Sequence, residues 1–171
     1  MSSKIKIDEE IKNLGSYLNA LESIHPDYTG LKLKKLQGRV LTAHAHLEEI
    51  VNILIGYKIA KAFGRSYFKM STPSKALINL FLQPLLNNIS FRNKIEIIEK
   101  YKDIKTELIK ALRKVNGYRN EFAHPKGSKL REKYKSNSPK GKQNIRDLFR
   151  CLVKANNELN KYFSKIMEEK H

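Results

Sequence analysis

Apolar residues recur at three- and four-residue steps over most of the chain, the spacing of a helix that buries one face. Ile7, Ile11, Leu14, Leu18 and Leu21 predict a first helix over about residues 4–22. The stretch HPDYTG, with Pro26 and Gly30, interrupts the pattern. A long second helix is predicted from Leu31 to Ala62, along Leu33, Leu36, Val40, Leu47, Val51, Leu54 and Ile55. After the loop GRSYFKMSTPS, KALINLFLQPLL predicts a shorter apolar helix from Ser74, ended or kinked at Pro84. Ser90 suits the N-cap of a helix over FRNKIEIIEKY.

Another helix is predicted from Asp103 to Ala123. Its stripe is Leu108, Leu112, Val115 and Phe122. Residues 125–142 combine Gly, Ser and Pro with many lysines and predict a loop. The last helix is predicted from Gln143 to Glu169, along Ile145, Leu148, Leu152, Leu159, Phe163 and Ile166. No segment alternates with a period of two, and no repeat is visible. The expected architecture is a single all-α domain over residues 1–171. It is an up-and-down helical bundle with a long basic loop before the last helix.

Charge narrows the function. Lys and Arg number 34 against 17 acidic residues, a net charge of +17. Such an excess draws polyanions, so nucleic acid is the first candidate partner. An anionic membrane surface and simple solubility are the other readings. The N-terminus MSSKIKIDEEIKN is charged where a signal peptide needs an apolar core. No apolar run approaches the roughly 20 residues of a membrane span. Cys151 is the only cysteine, which suits a reducing compartment, and its place in an apolar helical pattern predicts a packing role. A cytoplasmic protein with no membrane association is expected.

The predicted helix over 103–123 ends on GYRNEFAHP. Arg119 lies four residues after Val115 and three before Phe122, on the stripe that faces the core. A guanidinium there needs a partner, because an unpaired buried charge costs several kcal/mol. Either it pairs with Glu48 or Glu49 of the long second helix, or it lines a groove that anions reach. The planar fork of arginine suits phosphate. His124 precedes Pro125, and a residue before proline is pushed out of helical geometry, so its imidazole stands at a helix end. There it acts as a cap or as a reactive group. Five positions separate Arg119 from His124, about 140° around an ideal helix and roughly 7.5 Å along it. A frayed last turn or a second copy of the chain must close that gap. Asn120 lies four residues before His124, on the same face.

The basic segment that follows holds Lys126, Lys129, Arg131, Lys133, Lys135, Lys140 and Lys142 against Glu132 alone, with Tyr134 interleaved. It reads as a solvated loop or as a rim that guides nucleic acid. In the second case Lys126, Lys129, Arg131, Lys133 and Lys135 meet phosphates and Tyr134 stacks on a base.

Other chemistry finds little support. In AHAHLEEI, His44 and Glu48 share a face, but the two histidines point to different sides. The zinc spacing of two His four apart is absent, so no metal or cofactor is expected. His44 reads as an exposed or bundle-capping residue. Arg92 of FRNK reads as a first-turn surface residue.

RNEFAH, an Arg followed by a polar residue and, after three more, a His, resembles the signature of the HEPN superfamily at its shortest spacing. RVLTAHAHLEEIVNILI is similar to the long early helix of that superfamily. SFRNKIEIIEKY resembles the segment before the motif helix in its mannitol-repressor-like and abortive-infection-like branches. The resemblance covers about residues 31–124. It implies a helical bundle that dimerises so that two motif helices form one composite site. It further implies a metal-independent endoribonuclease, a toxin or antiviral effector, with Arg119, Asn120 and His124 as its catalytic residues. A homodimer, RNA, and an antitoxin or regulatory protein are the implied partners. The same motif also occurs in non-catalytic regulators of the mannitol-repressor-like type, which leaves a nucleic-acid- or protein-binding helical module as the alternative. HEPN toxins silenced by nucleotidylation carry a Tyr two residues after the motif His. This chain has Lys126 there, so that control is not expected.

Overall fold

The structure, a computed structural model, describes residues 33–62, 82, 84–124, 127–135 and 137–168. The helix expected over 4–22, most of the helix expected from Ser74 and the site residue Lys126 lie outside the described residues; of the second helix residues 82 and 84–87 are described, and they are helical on both sides of residue 83, up to and beyond Pro84. Besides the helical residues 84–87, the described helices are α1 Leu33–Ala62, α2 Phe91–Glu99, α3 Thr106–Ala123, α4 Gly127–Lys133 and α5 Pro139–Glu168. No strand occurs among the described residues. The fold is an all-α helical bundle.

The apolar stripes meet in one core. Leu36, Val40, Leu47, Val51, Leu54 and Ile55 of α1 are buried. They pack with Leu108, Leu112, Val115 and Phe122 of α3 and with Ile145, Leu148, Leu152, Leu159, Phe163 and Ile166 of α5. Phe122 is fully buried, and truncating such a ring to Ala costs about 3–5 kcal/mol. α3 packs against α5, α1 and α2, which makes it the central helix.

Directions follow from which ends meet. Gln37, in the first turns of α1, donates its Nε2 to the carbonyl of Phe122 at the end of α3, 2.9 Å away. At the other end of the bundle, Lys58 of α1 and Tyr162 of α5 both reach Asp103, just before α3. α1 and α5 therefore run antiparallel to α3. The Gln37 bond also satisfies one of the last carbonyls of α3, which no further helical turn can bond.

Several local boundaries differ from the sequence-based expectation: α3 begins at Thr106, three residues after Asp103, and α2 ends at Glu99, before Tyr101. Ser90 caps α2 as expected, accepting a hydrogen bond from the Asn93 amide at 3.3 Å. The basic segment, however, is not a continuous loop: Gly127–Lys133 is a helix. Leu130 and Tyr134, four apart, are both buried and seat this short helix on the bundle. α5 begins at Pro139, four residues earlier than expected. Ser138 precedes it and accepts a hydrogen bond from the Gly141 amide at 3.0 Å, with Pro139 at the first helical position that proline favours.

Candidate functional site

α3 ends at Ala123, and His124 is its C-cap with φ −122° and ψ 65°. The His124 amide still donates to the carbonyl of Asn120 at 3.0 Å, while its side chain is exposed. The proline that follows enforces this stop, because it disfavours helical geometry at His124. Arg119 lies five residues earlier and is half-buried. Its Nη1 donates to Oδ1 of Asn120 at 3.1 Å. Asn120 therefore holds the arginine, and no side-chain bond between Asn120 and His124 occurs among the described residues.

Neither glutamate considered for Arg119 takes it. Glu48 is bound by Lys94 of α2, whose Nζ lies 2.5 Å from Oε1, and Glu49 is exposed. Among the described residues no carboxylate pairs with Arg119. Lys94 is 1% exposed while Glu48 is half-buried, so the lysine depends on this pair for a charged partner. Sequence reasoning missed Lys94. The available signal was its place on the stripe Phe91, Lys94, Ile95 and Ile98, where a core-facing cation must find an acid.

His44 is the second surprise. Expected at the surface or at a bundle end, it is buried. Its ring packs edge-on against Phe91 at 4.5 Å, and its Nδ1 lies 3.8 Å from Oε2 of Glu48. Burial lowers its pKa to about 4. The Arg119 and Lys94 charges push the same way, and Glu48 opposes them. His44 is thus a neutral imidazole near neutral pH, and its Nε2 has no hydrogen-bond partner among the described residues. Arg119, Lys94, Glu48 and neutral His44 sum to one positive charge behind the end of the motif helix. An anion is favoured there.

On the outer side of α3, Arg113, Gly117, Asn120 and His124 follow one another at steps of four, three and four, and all four are exposed. A Cβ on Gly117 would meet nothing within 4 Å, so the middle of this stripe is open space. Arg113 is paired with Glu99 at 2.5 Å.

The basic segment divides. Lys129, Arg131, Lys133 and Lys135 are exposed on and after α4. Lys133 also donates to both oxygens of Glu121, at 2.8 and 2.9 Å. Tyr134 does not offer a stacking face. It is buried, its ring lies 4.8 Å from that of Phe122, and its hydroxyl donates to Oε2 of Glu121 at 2.9 Å. Burial and that bond hold its phenol well above the usual range. The expectation of Tyr134 as a base-stacking residue is corrected on this ground: the alternation with lysines that suggested it is the outer half of an amphipathic helix.

Elsewhere, Cys151 is buried and its thiol is directed at the carbonyl of Ala111 at 3.8 Å, as packing requires. Burial pushes its pKa up. Arg92 lies at the surface, paired with Glu96 at 3.1 Å. Among the described residues no group of three His, Cys, Asp or Glu side chains could hold a metal ion. No described helix is long and apolar enough to cross a membrane. Compared with family models, with curated proteins and with solved structures, the chain finds no match in any of the three.

Proposed function

We propose that the chain is a metal-independent endoribonuclease of the HEPN type, acting as a homodimer with Arg119, Asn120 and His124 at a composite site. One observation carries this reading. Lys94 has taken Glu48, so Arg119 is left without a carboxylate among the described residues, five residues from an exposed His124. The stripe of Arg113, Gly117, Asn120 and His124 is the face on which two such helices would meet.

The chemistry follows from the groups. His124 removes the proton from a ribose 2′-hydroxyl, a general-base role that imidazole serves more often than any other side chain. The 2′-oxygen forms a bond to phosphorus and the bond to the 5′-oxygen breaks. The partner subunit's His124 protonates that leaving oxygen. The products are a 2′,3′-cyclic phosphate and a free 5′-hydroxyl, and no metal or redox partner is consumed. Arg119, fixed by Asn120, stabilises the charge that builds on the phosphoryl oxygens. Lys129, Arg131 and Lys135 would hold the flanking phosphates. A toxin or antiviral role fits a chain of net charge +17, for which an acidic antitoxin is the natural restraint.

The test is cleavage of mixed RNA in EDTA. Wild type should yield cyclic-phosphate ends, and Arg119→Ala and His124→Ala should each lose about 10²- to 10⁴-fold with helicity retained. Mixing wild type with an excess of His124→Ala under subunit exchange should silence the wild-type subunits if the site is shared. RNA binding without any cutting by wild type would replace this reading with the non-catalytic regulator.

A further inference from the structure

Glu121 lies inside RNEFAH, yet the proposed reaction does not use it. Tyr134 stands ten residues beyond His124 and touches the same turn of α3. The tyrosine ring packs on Phe122 at 4.8 Å, and its hydroxyl donates to Oε2 of Glu121 at 2.9 Å. Lys133 Nζ donates to both oxygens of the same carboxylate. From the other side, Gln37 Nε2 holds the carbonyl of Phe122 at 2.9 Å. The last turn of the motif helix is therefore gripped by α1 on one side and by the end of α4 on the other. The chain leaves that turn at His124 and is brought back to it at Tyr134.

We infer that Tyr134 and Glu121 are positioning residues for His124. They fix the turn from which the imidazole projects, and they act on the reaction only through it. The inference rests on the reading of His124 as a reactive group. The physical case is the buried hydroxyl. Tyr134 is 3% exposed, and a buried donor left without an acceptor is destabilising, so its bond to Glu121 defines one register for the returning chain. A phenylalanine would fill the same space against Phe122 and lose that register. A side chain displaced by about 1 Å from a reacting atom loses on the order of 100-fold in rate.

The test uses the full chain with Tyr134→Phe and Glu121→Gln. Tyr134→Phe keeps the ring, so it should stay folded with a modest fall in Tm. Its kcat on RNA should fall about 10- to 100-fold with KM within about twofold, and the NMR signals of the His124 ring should shift or broaden. Glu121→Gln keeps an acceptor for the phenol, so kcat and the His124 signals should stay close to wild type. A Tyr134→Phe chain with unchanged His124 signals and unchanged kcat overturns the inference. So does a loss of kcat no larger than the loss of folded protein. If wild type cuts no RNA, the nuclease reading fails by itself, and the His124 signals still decide whether Tyr134 orders that side chain.

Discussion

Lys94 of α2 holds Glu48 of α1, Nζ to Oε1 at 2.5 Å, and thereby withholds from Arg119 the acid it would otherwise be expected to meet. The lysine is almost fully enclosed, so the pair also ties two helices together. Glu48→Ala should cost about 3–5 kcal/mol in urea denaturation, because it strands a buried ammonium. Replacing both partners, as Lys94→Met with Glu48→Leu, should recover most of that loss. Equal destabilisation by the single and double variants would contradict the buried-pair account.

His44 makes stability depend on pH. Its pKa is lowered to about 4 by burial, assisted by Arg119 and Lys94 and opposed by Glu48. In the unfolded chain the ordinary value is about 6.5. Between these two values the unfolded chain takes up a proton that the folded chain refuses. Stability is whole above the window and is lost as pH falls through it, by about 3 kcal/mol in all. Chemical denaturation of His44→Leu at pH 7 and pH 4.5 should show a flatter dependence than wild type. Asp103 adds a separate loss in stronger acid. Its burial works to raise its pKa, but the hydrogen bonds from Lys58 and Tyr162 and the Lys58 charge outweigh this and lower it. That part should persist in His44→Leu.

RNA affinity should fall with salt in proportion to the number of phosphates met. For a single strand, each contact contributes about 0.7 log units per decade of salt. Lys129→Ala, Arg131→Ala and Lys135→Ala should each reduce that slope by about this amount in filter binding, across RNA sequences alike. Lys133 is a poorer choice, because it also holds Glu121. A slope unchanged in the triple variant would remove α4 from the RNA path.

The helices were legible in sequence wherever one face is apolar throughout. The stripes of α1, α3 and α5 and the Ser90 cap all follow from spacing and cap chemistry. α4 was not, because only Leu130 and Tyr134 mark its inner face amid seven positive charges. The early start of α5 was hidden by reading Pro139 and Gly141 as breakers, although Ser before Pro is a helix-start pair. The position of Arg119 on the core side of α3 was legible. The engagement of Glu48 by Lys94 was not, since it depends on Lys94 arriving from another helix. Pairings between helices are set by packing geometry, which periodicity does not carry.

Gly141 is the point where the start of α5 touches the chain leaving α4. A Cβ there would fall 2.0 Å from the carbonyl oxygen of Lys135. Any larger residue must push the two backbones apart. The lysines of α4 thus stand on a segment seated at Leu130 and Tyr134 and closed off at Gly141. A polyanion meeting them gives up little conformational entropy to order the protein side. Its capture should carry a smaller entropic cost than capture by a free cationic tail of equal charge.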